Sequence, residues 1–226
     1  RISIPFEDMP VTLRQAVLAA EDREFYEHGG FDPTAIVRAG WNDLRGGGTQ
    51  GGSTITQQYA KNAYLTHEQT LVRKARELVL SVKLETEASK DEILGDYLNT
   101  IYMGRGAYGV ETASQAYFGK PASELTLSES AVLAAVIRAP SGYDPDTNEE
   151  KLRARYQYVL DGMVQKGWIT PAEAKAAKFP KFKSQKTATN ALAGTNGYLL
   201  ESIRREALRR GYTEEDRPVG GCRTAA

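Results

Sequence analysis

Three groups of residues in this chain have types and spacings suited to chemistry, and the first is a carboxylate standing where a helix pattern calls for an apolar residue. Leu13, Val17 and Glu21 recur at i, i+4 and i+8. They lie in a helix that a Thr12–Gln15 capping box is expected to open and the Gly29–Gly30 pair to close. Glu21 therefore shares the face turned to the core. Burial disfavours the ionised form, so a glutamate there either pairs with a cation, Arg23 or His28 being the sequence neighbours, or carries a raised pKa suited to proton transfer.

The second group follows a glycine tract, Gly46-Gly47-Gly48 and Gly51-Gly52, which runs into Ser53, Thr54, Gln57, Gln58, Lys61 and Asn62. A helix starting at Ser53–Thr54 offers backbone N–H groups and hydroxyls to an anion, with Lys61 about two turns on. A nucleotide P-loop would need lysine just before Ser53, where Gly52 stands. Taken alone, the glycines suit a flexible linker. The third group is Arg73, Lys74, Arg76 and Glu77. Alone it reads as an exposed helix face with an Arg73–Glu77 pair worth about 0.2–0.5 kcal/mol. Beside an anion nest it would be a second positive wall for a diphosphate, with Glu77 orienting the cations or holding a divalent metal. Transfer of a group from a phosphorylated donor to a hydroxyl needs a base, stabilisation of a charged leaving group and positioning between them, and the three groups can supply these.

The 226 residues suffice for one sizeable core or a core with a smaller lobe. Lys+Arg and Asp+Glu both total 29, so no global basic field points to nucleic acid, and a cationic site must be local. Cys222 is the only cysteine, which excludes an internal disulfide and a Cys-based zinc site. His28 and His67 offer no metal-ligand pair. The mean hydropathy is −0.47 and no apolar run reaches spanning length.

The elements that position these groups read as helices. A short helix after Asp32-Pro33 carries Arg38 among Ile36, Val37 and Trp41, apolar residues that suit either membrane contact or the core. A Thr66–Gln69 capping box opens a long helix to about Glu87 with an expected inward stripe of Leu71, Ala75, Leu78 and Val82. Ser89–Glu92 caps the next, with Ile93, Leu94, Tyr97, Leu98 and Ile101 inward. Tyr97, Asn99 and Tyr102 read as core and supporting groups. After a short helix from Val110 to Phe118, Thr126–Glu129 caps one whose Ala131–Ile137 run is apolar nearly all round, hence central. Leu152, Tyr156, Val159, Leu160 and Met163 mark an amphipathic helix, and Thr170-Pro171 opens a short one. Lys178 to Asn196 reads as a linker and Tyr198 to Arg210 as a helix. No strand alternation is sustained, so the class is mostly α.

Five ordered motifs carry a resemblance. Glu21-Asp22-x-x-Phe25-x-x-His28-x-Gly30, Gly51-Gly52-Ser53-Thr54-Ile55-Thr56-Gln57-Gln58 and Arg73-Lys74-x-x-Glu77 are followed by two more. These are Ile93 to Gly104 with Tyr117-Phe118-Gly119-Lys120, and Leu127-Ser128-Glu129-x-Ala131 running to Ala139-Pro140. Together, over about residues 5 to 145, the chain resembles the peptidoglycan glycosyltransferase domain of class A penicillin-binding proteins.

The resemblance implies a lysozyme-like helical head lobe with a smaller membrane-facing jaw at about 32–65, in a domain spanning 1–178. Residues 179–226 would be a linker and C-terminal helix towards a possible transpeptidase domain in cis. It implies an inverting lipid II polymerase on the extracytoplasmic face of a bacterial cell membrane, with an N-terminal anchor upstream. Its partners would be lipid II, the nascent glycan strand and the outer leaflet, with no nucleic acid. Glu21 and Glu77 are then the expected catalytic residues. Arg38, Gly52, Ser53, Thr54, Gln57, Gln58, Lys61, Asn62, Arg73 and Lys74 would bind diphosphate and glycan. No organic cofactor is expected; a divalent cation, magnesium or manganese, is possible at Glu77. A glycan-cleaving enzyme, muramidase or lytic transglycosylase, is the hydrolytic rival, and a glycan- or partner-binding module the non-enzymatic one.

Overall fold

The structure, a computed structural model, describes residues 2–29, 53–64 and 71–183. Arg38, Gly52, the Ile36–Val37–Trp41 cluster, most of the jaw, the Thr66–Gln69 box, His67, the C-terminal helix and Cys222 lie outside them. The chain divides into two compact units, Arg1–Ser184 and Gln185–Ala226. Among the described residues of the first there are eight α-helices and no strand, apart from an isolated antiparallel bridge between Tyr102 and Tyr108.

Helix α1 spans Val11–Glu21, α2 Ile55–Tyr64, α3 Leu71–Glu87 and α4 Lys90–Thr100. Then follow α5 Val110–Tyr117, α6 Leu127–Ile137, α7 Pro145–Gln165 and α8 Pro171–Ala176. The core forms around α6, whose residues from Ser130 to Ile137 are all buried, as expected of a helix apolar on every side. α1 and α7 pack against α6 and against each other, and α2 lies against α3 and α4. The capping boxes at Ser89, Thr126 and Thr170 are all present with both reciprocal bonds.

Three expectations are corrected. α1 starts at Val11 behind Pro10, whose carbonyl accepts from Leu13 and Arg14. Thr12 thus falls inside the first turn, too late to cap it, and its hydroxyl lies 3.4 Å from Ser130 Oγ. α1 also ends at Glu21 rather than near Gly29, because Asp22 (φ −158°, ψ 84°) leaves helical geometry and its carboxylate is drawn to partners outside the helix.

The third correction inverts α3. Of the stripe's described side chains, Ala75 and Val82 are exposed and Leu78 is half-buried, and Val72 and Val79 beside them are 61% and 70% exposed, while Glu77 and Ser81 are buried. Thr56 of α2 donates to Glu85 of α3 at 2.5 Å, so the helices meet through polar groups. The apolar period is real, but Ala75 and Val82 of it face away from the core.

Between α4 and α5 the chain folds back tightly. Gly109 (φ 85°) sits where any Cβ would come 2.6 Å from the Asn99 carbonyl oxygen. Asn99 in turn clamps the lead-in, accepting from Ile4 N–H at 3.1 Å and donating to its carbonyl at 3.0 Å. After α8 the chain returns over the core: Phe179 packs edge-on to Tyr156, Phe182 against Phe118, and Arg105 donates to the Lys183 carbonyl at 2.7 Å.

Candidate active site

Glu21 occupies the last position of α1, on the stripe with buried Leu13 and Val17, and its side chain is only 10% exposed. Two other helices reach it, and a third stands behind them. Gln58 of α2 donates to Oε2 at 3.0 Å, and Arg155 of α7 approaches Oε1 at 3.4 Å while donating to the Ala20 carbonyl at 2.9 Å. Tyr97 of α4 donates to Gln58 Oε1 at 2.9 Å. Burial pushes the Glu21 pKa up, and Gln58, Arg155 and Arg138 only partly offset it. Burial, with the Glu21 and Asp22 charges, pushes the Tyr97 hydroxyl well above its ordinary value. Tyr97 therefore stays a donor, which turns the Gln58 carbonyl towards itself and the Gln58 amide N–H towards Glu21. The result is a carboxylate that is desolvated yet oriented, able to hold a proton and to release it.

The glutamate's expected neighbours are otherwise engaged. Arg23 donates to the Ala19 carbonyl and to Gln165, and His28 faces Asp22 at 2.8 Å.

One turn from Gln58, the start of α2 differs from the anion nest read in the sequence. The Ile55 N–H donates to Asp22 Oδ2 at 3.1 Å and the Gln57 N–H to Thr54 Oγ1 at 3.2 Å. These amides are taken by the protein's own acceptors, and Thr54 and Gln57 are buried. An entering anion meets a side-chain site instead. Lys74 donates to Ser53 Oγ at 3.1 Å and to Glu77 Oε1 at 2.5 Å. Glu77 is 3% exposed and Lys74 52%. A half-exposed pair stabilises the fold by no more than about 1 kcal/mol, so the arrangement does more for the position of Lys74 than for stability. Glu77 pairs with Lys74 rather than standing only beside Arg73, which lies half-buried one turn earlier. Lys61 is half-buried and shares a helix face with Gln58 by its i, i+3 spacing, and Asn62 is exposed.

Sequence reasoning missed Arg155 and the Asp22–His28 pair. Arg155 stands beside Tyr156 of an apolar stripe, 134 residues from Glu21, and nothing in local spacing marks it. Asp22 and His28 were visible within the first motif, but their link to α2 was not. Among the described residues no group of three or more His, Cys, Asp or Glu could hold a metal ion. Glu77, with Lys74 on one oxygen, does not by itself make a divalent-ion site.

Comparison with known proteins bears on the family and the fold. The family model described as Transglycosylase matches residues 1–164. The chain is 47% identical over 214 residues to penicillin-binding protein 1A of Mycobacterium tuberculosis, covering 92% of this chain and 26% of that protein. It is 44% identical over 179 residues to penicillin-binding protein 1F of Bacillus subtilis, covering 79% and 25%. The crystal structure of penicillin-binding protein 1A from Haemophilus influenzae superposes with a TM-score of 0.54 at 26% identity, over 95% of this chain and 22% of that one. The chain thus spans about a quarter of the length of these relatives.

Proposed function

Because the chain belongs to the transglycosylase family found in class A penicillin-binding proteins, we propose that it polymerises lipid II into β-1,4-linked glycan with inversion at the donor carbon. The carrying observation is the buried Glu21, held by Gln58 on the same helix that opens beside the Ser53–Lys74–Glu77 cation site. Glu21 accepts the proton of the acceptor's 4-hydroxyl as the oxygen forms its bond to donor C1. The C1–O bond to the diphosphate breaks, and undecaprenyl diphosphate leaves with the electron pair. Lys74 and Ser53 receive the growing negative charge, and buried Glu77 keeps Lys74 aimed. Arg155 and Gln58 keep the glutamate ionisable before transfer, and its raised pKa suits it to hold the proton afterwards.

The donor's tail requires a membrane, and the exposed valines of α3, on the helix that carries Lys74, suit contact with a bilayer. Among the described residues no helix is long and apolar enough to cross one. The partners are accordingly lipid II, the nascent strand and the outer leaflet, with a transpeptidase domain in cis. Incubation with lipid II followed by gel analysis tests the reading: lengthened glycan supports it, whereas cleaved glycan or unchanged substrate refutes it.

A further inference from the structure

His28 has an acceptor against each ring nitrogen. Its Nε2 lies 2.8 Å from Asp22 Oδ1 and its Nδ1 3.0 Å from the Gly29 carbonyl oxygen. A neutral imidazole carries one N–H, so it would leave a lone pair facing either the carboxylate or the carbonyl; only the imidazolium satisfies both. The pair is well inside, with side chains 10% and 7% exposed, and a carboxylate at that depth needs a cation.

The other groups around His28 come from three elements. Lys90 of α4 donates to the His28 carbonyl at 2.6 Å and caps the Phe25 ring at 4.4 Å; Phe25 meets the imidazole edge-on. Glu85 of α3 holds Lys90 at 2.8 Å, and Thr56 of α2 donates to Glu85. With Asp22 on the Ile55 N–H, a ring of polar contacts closes around the start of α2. Burial and Lys90 both act to lower the His28 pKa, but Asp22 and the Gly29 carbonyl outweigh them, so it lies above the ordinary imidazole value.

The ring bears on catalysis because two bonds tie the same pair of helices. Asp22 to Ile55 and Glu21 to Gln58 both join the end of α1 to the first turn of α2. We propose that His28 is a positioning residue acting as an imidazolium: by pairing with Asp22 it fixes the α1–α2 spacing on which the Glu21–Gln58 contact depends, and turnover falls when it gives up its proton. This rests on Glu21 being the base.

The sign follows from the raised pKa. The tie is complete below the ordinary imidazole value of about 6.5 and is lost as pH rises through the folded value. Activity should thus climb as Glu21 ionises and then descend as His28 is deprotonated.

The test uses the 226-residue chain with lipid II in detergent, recording kcat against pH beside the NMR titration of the His28 ring and of the Ile55 amide. For the parent, the descending limb should share its midpoint with the His28 ring, and the Ile55 amide shift should follow the same curve. His28→Gln should lower the plateau on the order of tenfold, the scale of a small misplacement of a catalytic group, and lose that limb. His28→Lys, charged throughout, should recover part of the rate and move the limb to higher pH. A limb that stays in His28→Gln, or an Ile55 amide that does not sense His28, overturns the proposal. If the parent makes no polymer, the reading of Glu21 as a polymerase base fails, and the Ile55 titration still decides whether His28 ties the helices.

Discussion

The two ends of the candidate site hold their charges in opposite ways. At the Glu21 end a carboxylate 10% exposed is reached by side chains of α2 and α7, with α4 behind, and Tyr97, Gln58 and Arg155 leave it little freedom. At the Lys74 end the cation is 52% exposed, with one hydroxyl and one carboxylate to steer it. A general base must be desolvated and oriented before it meets a hydroxyl. A group that meets a charged diphosphate and then lets it go works better at the surface. Burial thus separates the end that performs chemistry from the end that handles charge.

The strongest way to break this contrast is at Glu21. Glu21→Gln keeps the shape and removes the base, so polymer formation should fall by about 10²–10⁴-fold while affinity for a diphosphate-bearing donor analogue stays within a few-fold. The parent's rate should rise with pH through a midpoint above the ordinary glutamate value, and this limb should be absent in the variant. Near-parent rates in a folded Glu21→Gln protein would move the base elsewhere. Asp22 cannot replace it, being committed to His28 and Ile55.

Next in size is Lys74→Ala, which removes a charge-assisted contact of the kind worth about 1.5–3 kcal/mol, so turnover should drop on the order of ten- to a hundredfold. Glu77→Gln should follow the same direction with a smaller loss, since Lys74 remains but loses its guide. Because Lys74 is half-exposed, donor binding should weaken with salt over a Debye length of about 10 Å at 0.1 M, while the Glu21 midpoint should move little. Equal salt sensitivity at both ends would erase the contrast.

Arg155→Met sharpens it. Arg155 lowers the Glu21 pKa, so its loss should carry the ascending limb to higher pH, costing about tenfold at a pH one unit below the new midpoint and little on the plateau. An unmoved limb would show that Arg155 serves only the Ala20 carbonyl. The smallest effect is expected at Ser53→Ala, a few-fold loss in donor-analogue affinity, because Lys74 keeps Glu77 without it. Titration calorimetry with a diphosphate-containing analogue measures it.

Much of this was legible beforehand where the physics is local. The capping boxes at Ser89, Thr126 and Thr170 need only four neighbouring residues, and all three formed. The Thr12–Gln15 box satisfied the same pattern and did not form, because Pro10 had already started the helix two positions earlier. In α3 the apolar period gave the stripe but not its direction. Glu85 is met by Thr56 of α2 and Lys90 of α4, partners that a periodicity cannot contain, whereas Glu77 and Ser81 bond within α3 itself, to Lys74 and to the Leu78 carbonyl.

By itself the sequence determined the mostly helical class, the centrality of α6, and the place of Glu21 on a buried stripe. Each of these depends on the intrinsic 3.6-residue repeat and on side chains within one or two turns. Only the tertiary structure decided what surrounds that glutamate. Arg155 arrives from 134 residues away, Gln58 turns its amide because Tyr97 donates to its other side, and Asp22 leaves α1 to occupy the Ile55 amide, one of those expected to hold an anion. Such contacts follow from how helices pack, and a buried polar group takes whichever partner packing brings within about 3 Å, however far along the chain it lies.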